Sequence, residues 1–125
     1  MDFKETTPIY MQIAQAICDS ILRGDYAAEE RVPSVREYAA DVEVNVNTVV
    51  RSYDYLQQQQ ILYNKRGLGY FVAADARERI VAIRKARFYN EELPAFFRQL
   101  KTLDIPMDDV LERFKEYHRP LSERL

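Results

Sequence analysis

A single cysteine, a single histidine and no apolar run approaching the length of a membrane span remove several classes of protein before any motif is considered. Cys18 has no second cysteine to pair with inside the chain, and His118 is alone, so neither an internal disulfide nor a metal cluster is expected. Cys18 is expected to pack in the first helix as a small apolar residue. Spanning a bilayer takes about 20 consecutive apolar residues, and the chain has no such run, so no membrane association is expected. Met1 leads into DFKETTP without the basic stretch and apolar core of a signal peptide, which makes the cytoplasm the expected location. Catalytic groups are also sparse. Glu29-Glu30, Glu91-Glu92 and Asp108-Asp109 are adjacent pairs, and neighbours on a helix point about 100° apart, a poor geometry for an acid–base dyad. The GLG at 67–69 lacks the strand-to-helix setting of a phosphate-cradling loop. No enzymatic activity, cofactor or metal is therefore expected.

What remains is a chain of 125 residues, 47% hydrophobic and 30% charged, long enough for one compact domain and a short extension. Its formal net charge of −2 argues against a nucleic-acid partner only if total charge is the criterion. Residues 1–74 hold seven Lys/Arg against ten Asp/Glu, yet residues 44–74 hold Arg51, Lys65 and Arg66 against Asp54 alone. Basic charge is concentrated in one stretch, and the acidic remainder disfavours non-specific binding.

That stretch opens with NVNTVVRSYDYLQQQQ, residues 45–60. Helical periodicity places Val49, Tyr53 and Leu56 on one side and Asn47, Arg51, Asp54, Tyr55 and Gln58 on the other. Asn45 suits the N-cap, leaving the positive end of the helix to face a phosphate, with Thr48 and Arg51 in the first two turns. A shorter helix precedes it in SVREYAADV. Ser34 and Glu37 form a capping box, and Val35, Tyr38, Ala39 and Val42 an apolar stripe. Two helices joined at Glu43 and Val44 predict a helix-turn-helix.

Upstream, Pro8 suits the first position of a helix that runs to Arg23, with Ile9, Ile13, Ile17 and Ile21 as its core stripe and Gly24 as its left-handed cap. Arg31-Val32-Pro33 is expected to be extended, a short strand before Ser34. Downstream, ILYNKRGLGYFVA predicts a β-hairpin whose turn holds Asn64, Lys65, Arg66, Gly67 and Gly69. Its two glycines permit positive φ and close approach of the backbone to a partner. Alone this reads as a solvated turn. Directly after a helix-turn-helix it reads as a wing, a tip set beside or in the minor groove while the helix occupies the major groove.

In order and spacing, PIYMQIAQAI, VPSVREYA, NVNTVVRSYDYL and KRGLGYFV resemble the GntR family of bacterial transcription regulators, and more narrowly its small YtrA-like branch. The likeness covers about residues 8–73. It implies an N-terminal winged helix-turn-helix in which Ser34 and Arg36 at the start of the second helix, Asn47, Thr48 and Arg51 in the third, and Arg66 and Gly67 in the wing meet double-stranded DNA. Asn45 and Lys65 join them on their positions at the helix cap and in the hairpin. Two residues depart from the family's pattern. Val46 stands where the branch usually has proline and many relatives have arginine, which removes one base contact, and Gln60 replaces the glycine that commonly ends the recognition helix.

From Asp75 the pattern is helical. Asp75 is expected to cap a helix with Ala76, Ile80 and Ile83 on one stripe and Arg77, Arg84, Lys85 and Arg87 mostly off it. Whether Pro94 kinks one long helix or opens a fresh one after Asn90 is undecided by sequence. Leu93, Phe96, Phe97, Leu100 and Leu103 form a stripe too apolar for the outside of a monomer. A last helix follows Ile105-Pro106, with Asp108 and Asp109 at its positive end and Val110, Leu111, Phe114 and Tyr117 on its apolar side. The tail PLSERL is expected to fray.

The expected fold is mainly α with a small β-hairpin wing: a winged helix-turn-helix over 1–74 and a short helical dimerisation region over 75–125. Ile80, Ile83, Leu93, Phe96, Phe97, Leu100 and Leu103 are the expected dimer contacts, the alternative being a monomer whose tail folds back on its own core. The resemblance implies the same use of the tail, and implies transporter operons as common targets. The expected function is that of a homodimeric, sequence-specific regulator, a repressor of its own or a transporter operon, acting on a palindromic operator. No feature names an effector. The competing reading is a winged-helix module that binds protein through Tyr53, Tyr55 and the Gln57–Gln60 run, and its weak dependence on salt would distinguish it.

Overall fold

Pro8, which has no N–H to leave unsatisfied, takes the N-cap of the first helix, one position earlier than the sequence suggests. In the computed structural model, which describes residues 7–120, this helix (α1) spans Ile9–Arg23. Gly24 ends it at φ 91°, and the next N–H, from Asp25, reaches back 2.9 Å to the carbonyl of Ser20. Then come α2 (Val35–Val42), α3 (Val46–Gln58), the strands β1 (Leu62–Lys65) and β2 (Gly69–Val72), α4 (Ala76–Arg87), a π-helical turn (Phe88–Glu92), α5 (Leu93–Leu103) and α6 (Met107–His118). The architecture is mainly helical, with an N-terminal winged helix-turn-helix and C-terminal helices. Among the described residues no helix is long and apolar enough to cross a membrane.

The chain divides into two compact units between Ile83 and Arg84. The core of the first is built from Ile13, Ala14, Ile17, Cys18 and Ile21 of α1, Ala39 of α2, Val49, Tyr53 and Leu56 of α3, Leu62 and Val72 of the hairpin, and Ala76 and Ile80 of α4. Ile9 does not join its stripe and is 55% exposed. Residues four apart drift about 40° around a helix of 3.6 residues per turn, so a strict isoleucine series leaves the buried face before it reaches the helix end.

The hairpin pairs antiparallel with Leu62 opposite Val72, Tyr63 opposite Phe71, Asn64 opposite Tyr70 and Lys65 opposite Gly69. Asn64 and Lys65 therefore lie in the strand, and the turn itself is Arg66-Gly67-Leu68. The strand anticipated at 31–33 shrinks to one bridge, Arg31 with Phe71, continued by the Val32 N–H donating to Tyr70 at 3.0 Å. Pro33 has no N–H with which to extend it. α3 reaches the hairpin through Gln60 at φ 61°, the left-handed position that glycine would occupy without strain.

Pro94 neither breaks nor ends a helix. The chain stays helical from Ala76 through Leu103, and widening to a π turn at Phe88–Glu92 takes up the region where proline supplies no N–H. In the second unit α5 ends at Asp104 in the left-handed conformation, the Ile105 N–H returns to the Leu100 carbonyl at 2.9 Å, and α6 follows. No described residue from Arg84 onward is buried. Phe88, Tyr89, Phe96, Phe97, Leu103, Leu111, Phe114 and Tyr117 are all exposed. The tail residues 121–125, and with them most of the segment expected to fray, lie outside the described residues.

Candidate nucleic-acid interface

The start of α2 is fastened by its own sequence. Ser34 Oγ accepts from the Glu37 N–H at 3.1 Å, and Glu37 Oε1 accepts from the Ser34 N–H at 2.8 Å. The backbone hydrogen bond from Ser34 is the main reason the Glu37 carboxyl lies below the usual carboxylate range. Arg36, next to it, is exposed. Glu43 then turns the chain at φ 57°, and Asn45 caps α3 by accepting from the Asn47 N–H at 2.7 Å.

α3 separates its faces as its periodicity requires. Val49, Tyr53 and Leu56 are fully buried, while Asn47, Arg51, Asp54 and Gln58 are exposed and Thr48 is half-buried. Two residues fall elsewhere than expected. Tyr55 packs half-buried against the core, and Ser52, which periodicity did not single out, is fully buried. Ser52 Oγ lies 2.7 Å from the Tyr10 carbonyl and 3.0 Å from that of Thr48, either of which accepts its hydroxyl. Tyr53 donates to the Pro33 carbonyl at 2.7 Å and meets the rings of Tyr38 and Tyr70 edge-on, at 6.3 and 5.0 Å between centroids. α3 is thus tied to the first turn of α1 and to the entry of α2. A burial this complete leaves no Tyr53 surface for a protein partner.

The exposed face meets a feature that the sequence did not announce. The Arg51 guanidinium sits over the Tyr10 ring, 4.1 Å from its centroid. Pro8, Ile9, Tyr10, Asn47, Thr48 and Arg51 together line a depression of about 350 Å³. Nothing in either helix taken alone pairs these residues, which are far apart in the chain.

In the wing, Arg66 and Gly67 occupy the turn, Gly67 at φ 81°, and Leu68 is 63% exposed. Lys65 belongs to β1, with Nζ over Phe71 at 4.8 Å and Tyr63 at 5.9 Å, so its charge stands on the strand face instead of the tip. The close approach anticipated at the glycines is internal at Gly69. A Cβ there would lie 3.0 Å from Arg31 Nε, and the same Nε donates to the Leu68 carbonyl at 3.0 Å. Arg31 Nη2 is 3.8 Å from Glu37 Oε1, which links the wing to the capped start of α2. Arg31 and Tyr10 are the residues that sequence reasoning missed; the second glycine was the only local sign of either.

Of the anticipated dimer contacts, Ile80 is 1% exposed in the first unit's core, and Ile83 is half-buried against it. Ile80 is consumed by packing within the chain, because α4 begins on that core, and it offers no surface to a second copy. Leu93 and Leu100 are half-buried, while Phe96, Phe97 and Leu103 are exposed. Asp75 accepts from Arg79 Nε at 2.9 Å, a surface ion pair at the start of α4.

The sequence pattern of the bacterial regulatory proteins of the gntR family matches residues 9–72. The chain is similar to the HTH-type transcriptional regulator YhcF of Bacillus subtilis, which is uncharacterized, at 35% identity over 92% of this chain and 93% of that protein. It is also similar to the HTH-type transcriptional repressor YtrA of the same organism, at 29% identity over 93% of this chain and 88% of that one. Among solved structures it is similar to one described as a transcriptional regulator of the GntR family from Bacteroides thetaiotaomicron, with 52% identity and a TM-score of 0.78 over 88% of this chain and 96% of that one.

Proposed function

The chain belongs to the GntR family of DNA-binding transcription regulators, not to a family of enzymes, and from that premise we propose that it is a homodimeric repressor that reads an inverted repeat. The observation that carries this reading is the division of α3: Val49, Ser52, Tyr53 and Leu56 are buried while Asn47 and Arg51 stand exposed beside the half-buried Thr48 at its N-terminal half. In this reading the face enters the major groove, Arg51 contacts a base edge, Asn47 and Thr48 approach bases or phosphates, and Ser34, Arg36 and Asn45 at the two helix starts, with Lys65, Arg66 and Gly67 of the wing, meet backbone. The proposed division of labour follows the chain, DNA contact in the helix-turn-helix and wing up to residue 74 and self-association in the helices from Arg84 on, since the start of α4 is already packed in the first unit's core.

The exposed aromatic and aliphatic residues of α5 and α6 support self-association, because a unit with no buried residue among those described gains its apolar stabilisation from another surface. A two-fold dimer presents the same face twice and so selects an inverted repeat in DNA. Repression is the proposed mode because YtrA, similar along most of its length, is named a repressor. The proposed targets are its own operon or a transporter operon, and the proposed location is the cytoplasm. The test is selection of bound duplexes from a random pool by the full-length protein, followed by sedimentation with and without the winning duplex. An inverted repeat bound by a dimer is the expected result. Enrichment of one unrepeated site bound by a monomer overturns the proposal.

A further inference from the structure

Arg51 has two potential partners for its charge in the protomer. Asp54 lies one turn on, at the i+3 spacing at which helical side chains meet, and Tyr10 lies across the boundary with α1. The guanidinium is found over the Tyr10 ring, 4.1 Å from the centroid, and among the described residues no ion pair joins Arg51 to Asp54. That geometry matters for recognition. A guanidinium held against a ring instead of a carboxylate keeps N–H donors available for a bidentate contact to the O6 and N7 of guanine. An arginine folded onto a carboxylate spends those donors on it.

We propose that Tyr10 is a specificity-determining positioning residue: its ring holds the Arg51 guanidinium out of reach of Asp54 and presents its N–H edge to the major groove. The inference rests on the reading of Arg51 as a base contact. The backbone of Tyr10 is itself held from the other side of α3, where buried Ser52 places its hydroxyl 2.7 Å from the Tyr10 carbonyl. One residue thus serves both faces of the recognition helix, its carbonyl anchoring the buried face and its ring arranging the exposed one. Pre-ordering the arginine lowers the conformational cost of binding, and it does so for the base-reading contact while leaving phosphate contacts unchanged.

The experiment uses the full-length protein and a duplex selected by it from a random pool, together with variants of that duplex changed at one base pair per half-site. Tyr10→Leu is expected to lower discrimination at the position read by Arg51 by about two- to fivefold, the worth of an exposed cation–π contact, with unchanged affinity for random-sequence DNA and an unchanged salt slope. Tyr10→Phe, which keeps the ring, retains wild-type discrimination, and adding Asp54→Asn to Tyr10→Leu restores part of it by removing the competing carboxylate. Arg51→Ala separates the premise from the inference. If it leaves the preference at every base unchanged, the base-reading premise fails; if it relaxes one position that Tyr10→Leu leaves intact, the role of Tyr10 fails. A Tyr10→Leu loss spread equally over cognate and random DNA also overturns the proposal, since that is the mark of a merely structural residue. Where Tyr10→Leu melts early, Tyr10→Met, which keeps side-chain length without a ring, gives the same readout.

Discussion

Removing the hydroxyl of Tyr53 tests how α3 is held. The side chain is fully buried, its hydroxyl donates to the Pro33 carbonyl at 2.7 Å, and its ring is flanked edge-on by Tyr38 and Tyr70. Tyr53→Phe keeps the ring contacts and takes the donor from the part-buried Pro33 carbonyl, a loss of about 1–2 kcal/mol. In a unit that ends at Ile83, each kcal/mol moves the melting temperature by about 4–8 °C, so melting followed by circular dichroism should fall by roughly 4–16 °C. Tyr53→Ala removes the ring as well, at about 3–5 kcal/mol. A unit of this size has a total stability of about 4–12 kcal/mol, so this variant should lose a large share of it and melt far below the Phe variant. The pH dependence adds a second signature. Burial is the main cause that raises the Tyr53 phenol well above its ordinary value of 10.0. A folded-state pKa above the unfolded one contributes stability that is complete below pH 10 and lost as pH rises beyond it. Tyr53→Phe should therefore lose part of the wild type's alkaline sensitivity; Tyr26, Tyr38 and Tyr63, also raised, contribute to what is left. A Phe variant that melts with the wild type, and with the same profile above pH 10, would refute this account of the anchor.

Gln60→Gly should raise stability by about 0.5–1 kcal/mol in urea titration, because Gln60 sits at φ 61° and glycine relieves that strain by more than it adds in unfolded-chain entropy; a loss of stability would show that the Gln60 side chain makes a compensating contact. Lys65→Ala with Arg66→Ala should leave the melting temperature within a degree or two and weaken operator binding, with the slope of log affinity against log salt reduced by about 1–2. Unchanged binding in a gel-shift titration would take the wing out of the interface. On the proposed dimer, Phe97→Glu should give a monomer in analytical ultracentrifugation and lower affinity for a full inverted repeat by orders of magnitude, since two linked half-site contacts act at high effective concentration; a variant that remains dimeric at tens of micromolar would move the proposed interface away from α5.

The parts of this protein that its sequence alone determined are those closed by interactions within about four residues. Ser34 and Glu37 cap each other, Asn45 caps α3 through Asn47, Gly24 ends α1, and the burial of Val49, Tyr53 and Leu56 against the exposure of Asn47 and Arg51 follows from helical period. The match of four short motifs to one family rests on the same local signals. What only the tertiary structure decided spans longer separations. Tyr10 against Arg51, Ser52 against the Tyr10 carbonyl, Tyr53 against Pro33 and Arg31 against Leu68 join segments 20 to 42 residues apart. No periodicity encodes which side chains meet when two helices pack, because that depends on the crossing of their surfaces. Ile80 and Phe97 make the point within one helical run. Both read as apolar stripe residues, yet one is 1% exposed and the other 46%, since a stripe states that a face seeks an apolar partner, and only packing decides whether that partner lies in the same protomer.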